Sequence, residues 1–507
     1  MILDAFGNPV KSEPAPRRSL VPGGVRASWD AAQTTDENRK HWSRADDLTP
    51  DAAANPAVRR TLRKRARYEV ANNTYAKGIS QTVVDWTIGS TIRLQLTGAV
   101  GRSQARREGA LTRQEASLVE GEFFEWMEAN DIFDKVGTMV KADSVDGEAF
   151  GIMQTNPNGP SQVKLDLALV EADNCTSPFG GILTPTEVDG IRFDDYGNPL
   201  EYSFVDPRNF LSFGPPQVIP ACDVIHLFKA ERPGQRRGVS EFAPALPLFA
   251  QLRRWTLAVL AAAESAADFA GIMQSDQGPD VEDVDDSSEF ARVELERRAL
   301  LTLPAGWKLA QLKAEHPNGT YAEAKREIVN EIARCWDMPY NLAAGNSSTY
   351  NYASGRLDHQ SWAKSVRVRR RRVSLRVLDR LFAAWRREAI LIEGYLPQPL
   401  RTVTTNWSHQ WFFEGWGHVD PVKEATAAQV RLQSNTDTLA DIWGAQGADW
   451  EDKLEQIARE RALMKDLGIT AEEIVTAPSA DDEDAMSAFA LTRDDAGRIS
   501  GVRRWQA

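Results

Sequence analysis

The sequence predicts an α+β fold that is mainly α, and three observations carry that prediction. Apolar residues recur at three- and four-residue spacing over most of the chain. Strict alternation is confined to residues 150–228, and one helical stripe runs from about Ala353 to Glu393. A chain of 507 residues, 42% hydrophobic and 26% charged, is also long for one core, which predicts roughly two to four structural regions.

Residues 1–50 are rich in Pro, Gly, Asp and Arg without periodicity and read as a mobile arm. Asn55-Pro56 supplies a cap and a first-turn proline for a helix carrying Val58, Leu62 and Ala66. A second helix carries Ile79, Val83 and Trp86. A third covers Arg113–Asn130, with Leu118, Phe123, Trp126 and Met127 on its apolar face. Val163–Leu167, Ile191–Phe193, Tyr202–Val205 and Val224–Phe228 read as strands, with a turn at Asp195–Pro199. Phe242–Phe269 is a long apolar helix whose start is blurred by Pro244 and Pro247.

Asp276–Glu289 reads as an acidic loop, and Leu300–Leu303 with Trp307–Leu312 as a hairpin. Tyr321–Trp336 is amphipathic through Tyr321, Ile328, Ile332 and Trp336. After the polar loop Gly345–Asn351, the long helix carries the stripe Trp362, Val366, Val373, Val377, Leu381 and Trp385. Two more helices follow, near Val422–Asp441 and Asp449–Leu467, and the acidic tail at 476–507 is expected to be disordered.

Sixty basic against 72 acidic residues give a net charge of −12. Tight DNA binders carry a basic surplus, so firm DNA binding is not expected. Fifteen Trp point instead to large buried contacts within or between chains. Cys175, Cys222 and Cys335 form no CxxC pair and read as buried thiols in a reducing cytoplasm. The N-terminus has no apolar core of signal-peptide length, and Leu248–Ala263 is too short and too charged at Arg253-Arg254 for a bilayer. A soluble protein without membrane contact is expected.

No catalytic motif emerges. The chain has no Gly-Lys pair for a phosphate loop, no HExxH and no GxSxG, so neither an enzyme nor a cofactor is expected. His409 and His418 have no carboxylate at ligand spacing. Asp143, Asp146 and Glu148 could ligate magnesium as in a nuclease, but they read better as an acidic turn between elements.

Four segments, in order, carry a resemblance. They are Arg67–Gly78 with Val83-Val84-Asp85 and Gly89–Leu94; Gly190–Tyr202 with Asp223–Phe228 and Arg232–Ser240; Glu331–Tyr340; and Asn351–Arg356 leading into Trp362. Together, from Asn55 to Trp411, the chain resembles the lambda-type portal family of tailed phages. Ala353 stands where that family usually has serine, and neither the arm nor the region after Trp416 matches a motif.

The resemblance implies a portal fold with wing, stem, clip and crown regions, assembled as a ring. It divides the chain into an arm (1–50), a wing (51–238), a first stem helix (239–270) and a clip (271–316). A second stem helix (317–337), a tunnel loop (338–352), a long helix returning to the wing (353–417), a crown (418–475) and the tail follow. It implies a ring of about twelve copies at one capsid vertex of the virion, assembled in the host cytoplasm. Double-stranded DNA would pass through the ring during packaging and ejection, bound weakly and without sequence preference. Terminase large subunit, head–tail adaptor, major capsid and scaffold proteins would be partners. A non-portal capsid or connector protein is the alternative reading.

On this resemblance Asn346, Ser347, Ser348, Thr349, Tyr350 and Asn351 would face DNA, and Asp280, Glu282, Asp283, Asp285 and Asp286 would lie on the clip, facing motor and adaptor. Arg367, Arg369, Arg370, Arg371 and Arg372 point in different directions at about 100° per residue and cannot form one DNA-gripping stripe. With Trp362 they are candidates for the subunit interface, the arginines reaching carboxylates of a neighbouring copy.

Overall fold

The computed structural model describes residues 40–41, 43, 45–97, 99–100, 111–177, 186–205, 216–268, 272–275, 307–310, 318–348, 350–397, 407–416, 421–445, 450–466, 489–493 and 499–504. Helices α1 (Pro50–Ala53), α2 (Pro56–Asn72) and α3 (Thr74–Ile88) come first. Asn55 caps α2 as its sequence predicts, its side-chain oxygen accepting from the N–H groups of Ala57 and Val58 at 3.1 Å each. Asn73 ends α2 and caps α3, accepting from the N–H of Tyr75 at 3.0 Å.

Strand β1 (Ile92–Leu96) is followed by the short parallel pair β2 (Ala99–Val100) and β3 (Leu111–Thr112). A Thr112–Glu115 capping box starts α4 (Arg113–Ala129). Helix α5 (Ile132–Asp146), which periodicity did not reveal, leads into β4 (Glu148–Thr155) and β5 (Leu165–Val170). Strands β6 (Glu187–Val188), β7 (Ile191–Phe193), β8 (Pro199–Phe204) and β9 (Gln217–Pro220) form an antiparallel meander. Strand β10 (Val224–Phe228) pairs with β4, whose other edge pairs with β5.

Helix α6 (Leu246–Asp268) begins one residue before Pro247, so that proline lies in a turn where its missing N–H has no intrahelical role. Strands β11 (Ile272–Ser275) and β12 (Trp307–Ala310) pair antiparallel, giving Trp307–Ala310 a distant partner that sequence did not suggest. Residues 300–303 and Asp280, Glu282, Asp283, Asp285 and Asp286 lie outside the described residues.

Helices α7 (Asn318–Arg334), α8 (Tyr340–Ala344) and α9 (Tyr352–Val373) follow, and a π-helical turn at Ser374–Leu378 joins α9 to α10 (Asp379–Leu391). All six residues of the long stripe, from Trp362 to Trp385, are buried in the main core with α3, α4, α5 and β1. Strand β13 (His409–Phe413) then pairs with β1, Leu94 opposite Trp411, which returns the chain to its first sheet. A second cluster around Phe150, Ile191, Tyr202 and Phe204 lies between the two larger sheets.

Several expectations are corrected. Val58 and Leu118, assigned to apolar faces, are exposed. Cys222 is exposed, whereas Cys175 is buried and Cys335 half-buried, so the three thiols do not share one environment. The helix expected at 422–441 is two, α11 (Pro421–Gln433) and α12 (Leu439–Ala445), before α13 (Trp450–Asp466). Asn435 takes a left-handed φ of 54°, and the N–H of Thr436 closes on the Arg431 carbonyl at 3.0 Å, ending α11. Within the tail, β14 (Phe489–Arg493) and β15 (Ile499–Arg504) pair antiparallel with Leu491 opposite Val502. Judging the tail by composition averaged away this local alternation. Among the described residues, no helix is long and apolar enough to cross a membrane.

Candidate functional site

The acidic residues at the α5–β4 junction are the centre of the molecule's charge organisation. In place of an acidic turn between elements, Asp143 and Asp146 end α5 and Glu148 begins β4, and all three are buried. A buried carboxylate needs a partner, and here the partners are arginines from distant parts of the chain.

On α2, Arg59, Arg63 and Arg67 recur every four residues and so share one helix face. Arg59 pairs with Asp189, Arg63 with Asp173 at 2.9 Å and Glu148 at 3.2 Å, and Arg67 grips both oxygens of Asp146 at 2.8 and 2.7 Å. Glu148 is wholly buried; it accepts from Arg237 Nη2 at 2.7 Å, from Arg237 Nε at 2.9 Å, and from the Gly238 N–H at 3.1 Å. Burial alone would raise its pKa, but Arg237 and the hydrogen bonds from His226 and Arg237 outweigh burial and hold it well below the usual carboxylate range. Burial lowers the pKa of His226, so a neutral ring donates from Nε2 to Glu148, 3.1 Å away. Gly238 must be glycine, because a Cβ there would lie 1.9 Å from the Gly147 carbonyl oxygen.

One helical turn back along α5 lies a second set. Arg369 Nη2 donates to both oxygens of Glu241 at 3.0 Å, Arg372 Nη2 to Asp143 at 3.0 Å, and Ser144 Oγ to Glu241 at 2.9 Å. Trp336, in the turn after α7, donates from its indole to Ser144 Oγ at 2.9 Å. Thus α5, the segment entering α6, the turn after α7 and the C-terminal end of α9 meet at one point. Two carboxylates share this site unequally. Burial pushes Asp143 up to about 6 despite Arg372, whereas Arg369 more than offsets burial and keeps Glu241 low. Asp143 Oδ1, Arg369 Nη1 and Arg372 Nε are buried without a hydrogen-bond partner.

The arginine run is therefore corrected in part. Arg369 and Arg372 find their carboxylates inside the same chain. Arg370 donates to the carbonyls of Trp86, Thr87 and Glu414 at 2.8–2.9 Å, covering the C-terminal end of α3. It also lies over the rings of Trp416 and Phe413 at 4.8 and 5.1 Å. Trp362 is 1% exposed and belongs to the protomer's own core. Arg367 and Arg371 face outward, Arg367 lying over Trp416 at 5.5 Å. Sequence reasoning missed the inward partners because they lie far away along the chain. The four-residue repeat of Arg59, Arg63 and Arg67 was the one signal that could have shown them.

The uncharged segment has a firm base and an open top. Asn341 is buried and bonds His359 of α9 at 2.9 Å, and Gly345 ends α8 with a left-handed φ of 62°. Asn346, Ser347 and Ser348 are exposed, while Thr349 lies outside the described residues. Tyr350 is half-buried, and Asn351 caps α9 by accepting from the Ser354 N–H at 2.9 Å. Part of the segment at 338–352 is thus helix α8 rather than loop.

As a magnesium site the three acids are poorly disposed, since Arg67 holds both oxygens of Asp146, Arg237 both of Glu148, and Arg372 one of Asp143. Among the described residues, no group of three His, Cys, Asp or Glu side chains is arranged to hold a metal.

A family model described as phage portal protein, lambda family, matches residues 36–370. A probable portal protein of Halomonas phage phiHAP-1 is 25% identical over 433 residues, covering 81% of each chain. Among solved structures, a chain from the neck of an empty gene transfer agent particle, computed with C6 symmetry, matches 78% of this chain and 93% of its own. Its identity is 13% and its TM-score 0.42. A HK97 family phage portal protein from Corynebacterium diphtheriae covers 63% of this chain and 86% of its own, at 16% identity and a TM-score of 0.25.

Proposed function

From the premise that the chain belongs to the lambda family of phage portal proteins, we propose that about twelve copies close into a ring at one capsid vertex. Double-stranded DNA enters and leaves the particle through its channel. The family match over residues 36–370 carries this reading.

In this reading the wing is 51–238, α6 and α7 are the stem helices, and the segment between them is the clip that meets terminase and later the head–tail adaptor. The crown is 418–475. The exposed segment Asn346–Ser348 with Asn351 lines the channel. It carries no charge, and the chain's net −12 repels phosphates, so DNA slides past without being held. The protein acts as a conduit without catalysing a reaction, in a virion assembled in the host cytoplasm. Major capsid and scaffold proteins surround it. The buried acids, each neutralised by arginine, speak for this reading over a nuclease.

Electron microscopy of the purified protein tests the proposal. A closed ring with an axial channel wide enough for duplex DNA is expected; a species that stays monomeric at every concentration would refute it. Shortening Ser347–Tyr350 should leave rings intact and impair DNA packaging or retention.

A further inference from the structure

The outward face of α9 has a composition that neither its own fold nor a DNA channel explains. Leu357, Ser361, Lys364, Val368, Arg371 and Leu375 follow one another at spacings of three and four, so they form one stripe continuing into the π-helical turn. Leu357 is 68% exposed, Val368 67% and Leu375 55%. Lys364 and Arg371 are exposed between them, with Arg367 alongside. Phosphates would satisfy the cations but leave three aliphatic side chains in water. A protein surface bearing carboxylates would satisfy both.

The chain carries such a surface on α7. Glu323, Glu327 and Glu331 recur every four residues and are all exposed. At roughly 1.5 Å per residue Glu323 and Glu331 stand about 12 Å apart along their helix, close to the roughly 10.5 Å between Lys364 and Arg371 on α9. Arg326, between Ala322 and Asn330 on the same face, pairs with Glu327 at 3.5 Å, and Arg334 with Asp337 at 3.1 Å, so Glu323 and Glu331 are the carboxylates that face outward for a neighbouring copy. The α9 face is basic and apolar, whereas the α7 face offers Glu323 and Glu331 on either side of the Arg326–Glu327 pair. Two unlike but complementary faces on one chain are what a head-to-tail ring requires, since each copy must present both halves of the contact.

We infer that the stripe Leu357–Lys364–Val368–Arg371–Leu375 of one copy docks on the Glu323–Glu327–Glu331 face of the α7 helix in the next. The inference rests on the ring proposed above and assigns its contact residues.

The test is charge reversal with compensation, read by native mass measurement across a concentration series and checked by circular dichroism. In Lys364→Glu/Arg371→Glu, the concentration for half-assembly should rise at least roughly tenfold, because the same repulsion recurs at every interface. The circular dichroism spectrum should not change. Adding Glu323→Lys and Glu331→Lys to that chain should restore rings, since every interface then carries the exchanged pair. The assignment is overturned if the first variant assembles normally, if compensation restores nothing, or if rings stay intact and only DNA retention is lost. Failure of the proposed ring itself would be distinct: the unaltered protein would form no ring at any concentration.

Discussion

The two faces of α9 share a run of arginines but not a purpose. On the inward face, Arg369, Arg370 and Arg372 are fixed by Glu241, by three main-chain carbonyls and by Asp143. On the outward face, Lys364 and Arg371 stand in solvent between aliphatic side chains. Four consecutive arginines, Arg369–Arg372, are thus divided by helix geometry alone. A charge run therefore says little until each member is placed on its face, and the inward members belong to the fold.

The strongest way to break this contrast is to remove an inward head. Arg369→Ala leaves Glu241 buried and unpaired beside Asp143, and should lower the unfolding free energy by about 3–5 kcal/mol. A denaturant titration showing a loss under about 1 kcal/mol would place the junction outside the cooperative core.

Arg370→Ala comes next. It strips three carbonyls of their donor and removes the cation over Trp416, with an expected loss of about 2–3 kcal/mol. Trp fluorescence should report the change around Trp86 and Trp416, whose rings stack at 5.7 Å.

Asp143 gives a smaller effect with a defined sign. Its pKa in the folded protein is raised from the ordinary 3.8 to about 6, so its contribution to stability is full at low pH and is lost as pH rises through that window. Glu148 and Glu241 are depressed, and their contributions are lost instead as pH falls. Relative to Asp143→Asn, the unaltered protein should therefore lose stability between about pH 4 and pH 6 and run parallel above about pH 7. Thermal unfolding across that range measures it; a constant difference would mean Asp143 is ionised throughout.

The smallest effect is expected outside. Lys364→Gln with Arg371→Gln should change protomer stability by less than about 0.5 kcal/mol, because exposed charges contribute little to the fold.

Local rules made much of the fold legible. The Asn55-Pro56 start, the Trp362–Trp385 stripe and the alternation in β5, β7 and β8 needed only neighbouring residues to read. What escaped depends on distance along the chain. The burial of Asp143, Asp146 and Glu148 follows from arginines on α2, before α6 and on α9, and a carboxylate's sequence neighbours do not reveal whether a guanidinium will cover it. Helix α5 escaped for a related reason. Asp143, Ser144 and Asp146 are all buried in its last turn, so the polar residues there do not mark a solvent face.

The most direct test compares Arg369→Gln with Arg371→Gln, measuring unfolding of the dilute, unassembled protomer and ring formation for each. Arg369→Gln should lower the unfolding midpoint clearly, while Arg371→Gln should leave it unchanged and weaken assembly. Equal losses of protomer stability in both variants, or full assembly of Arg371→Gln, would contradict the division of this helix into a folding face and a contact face.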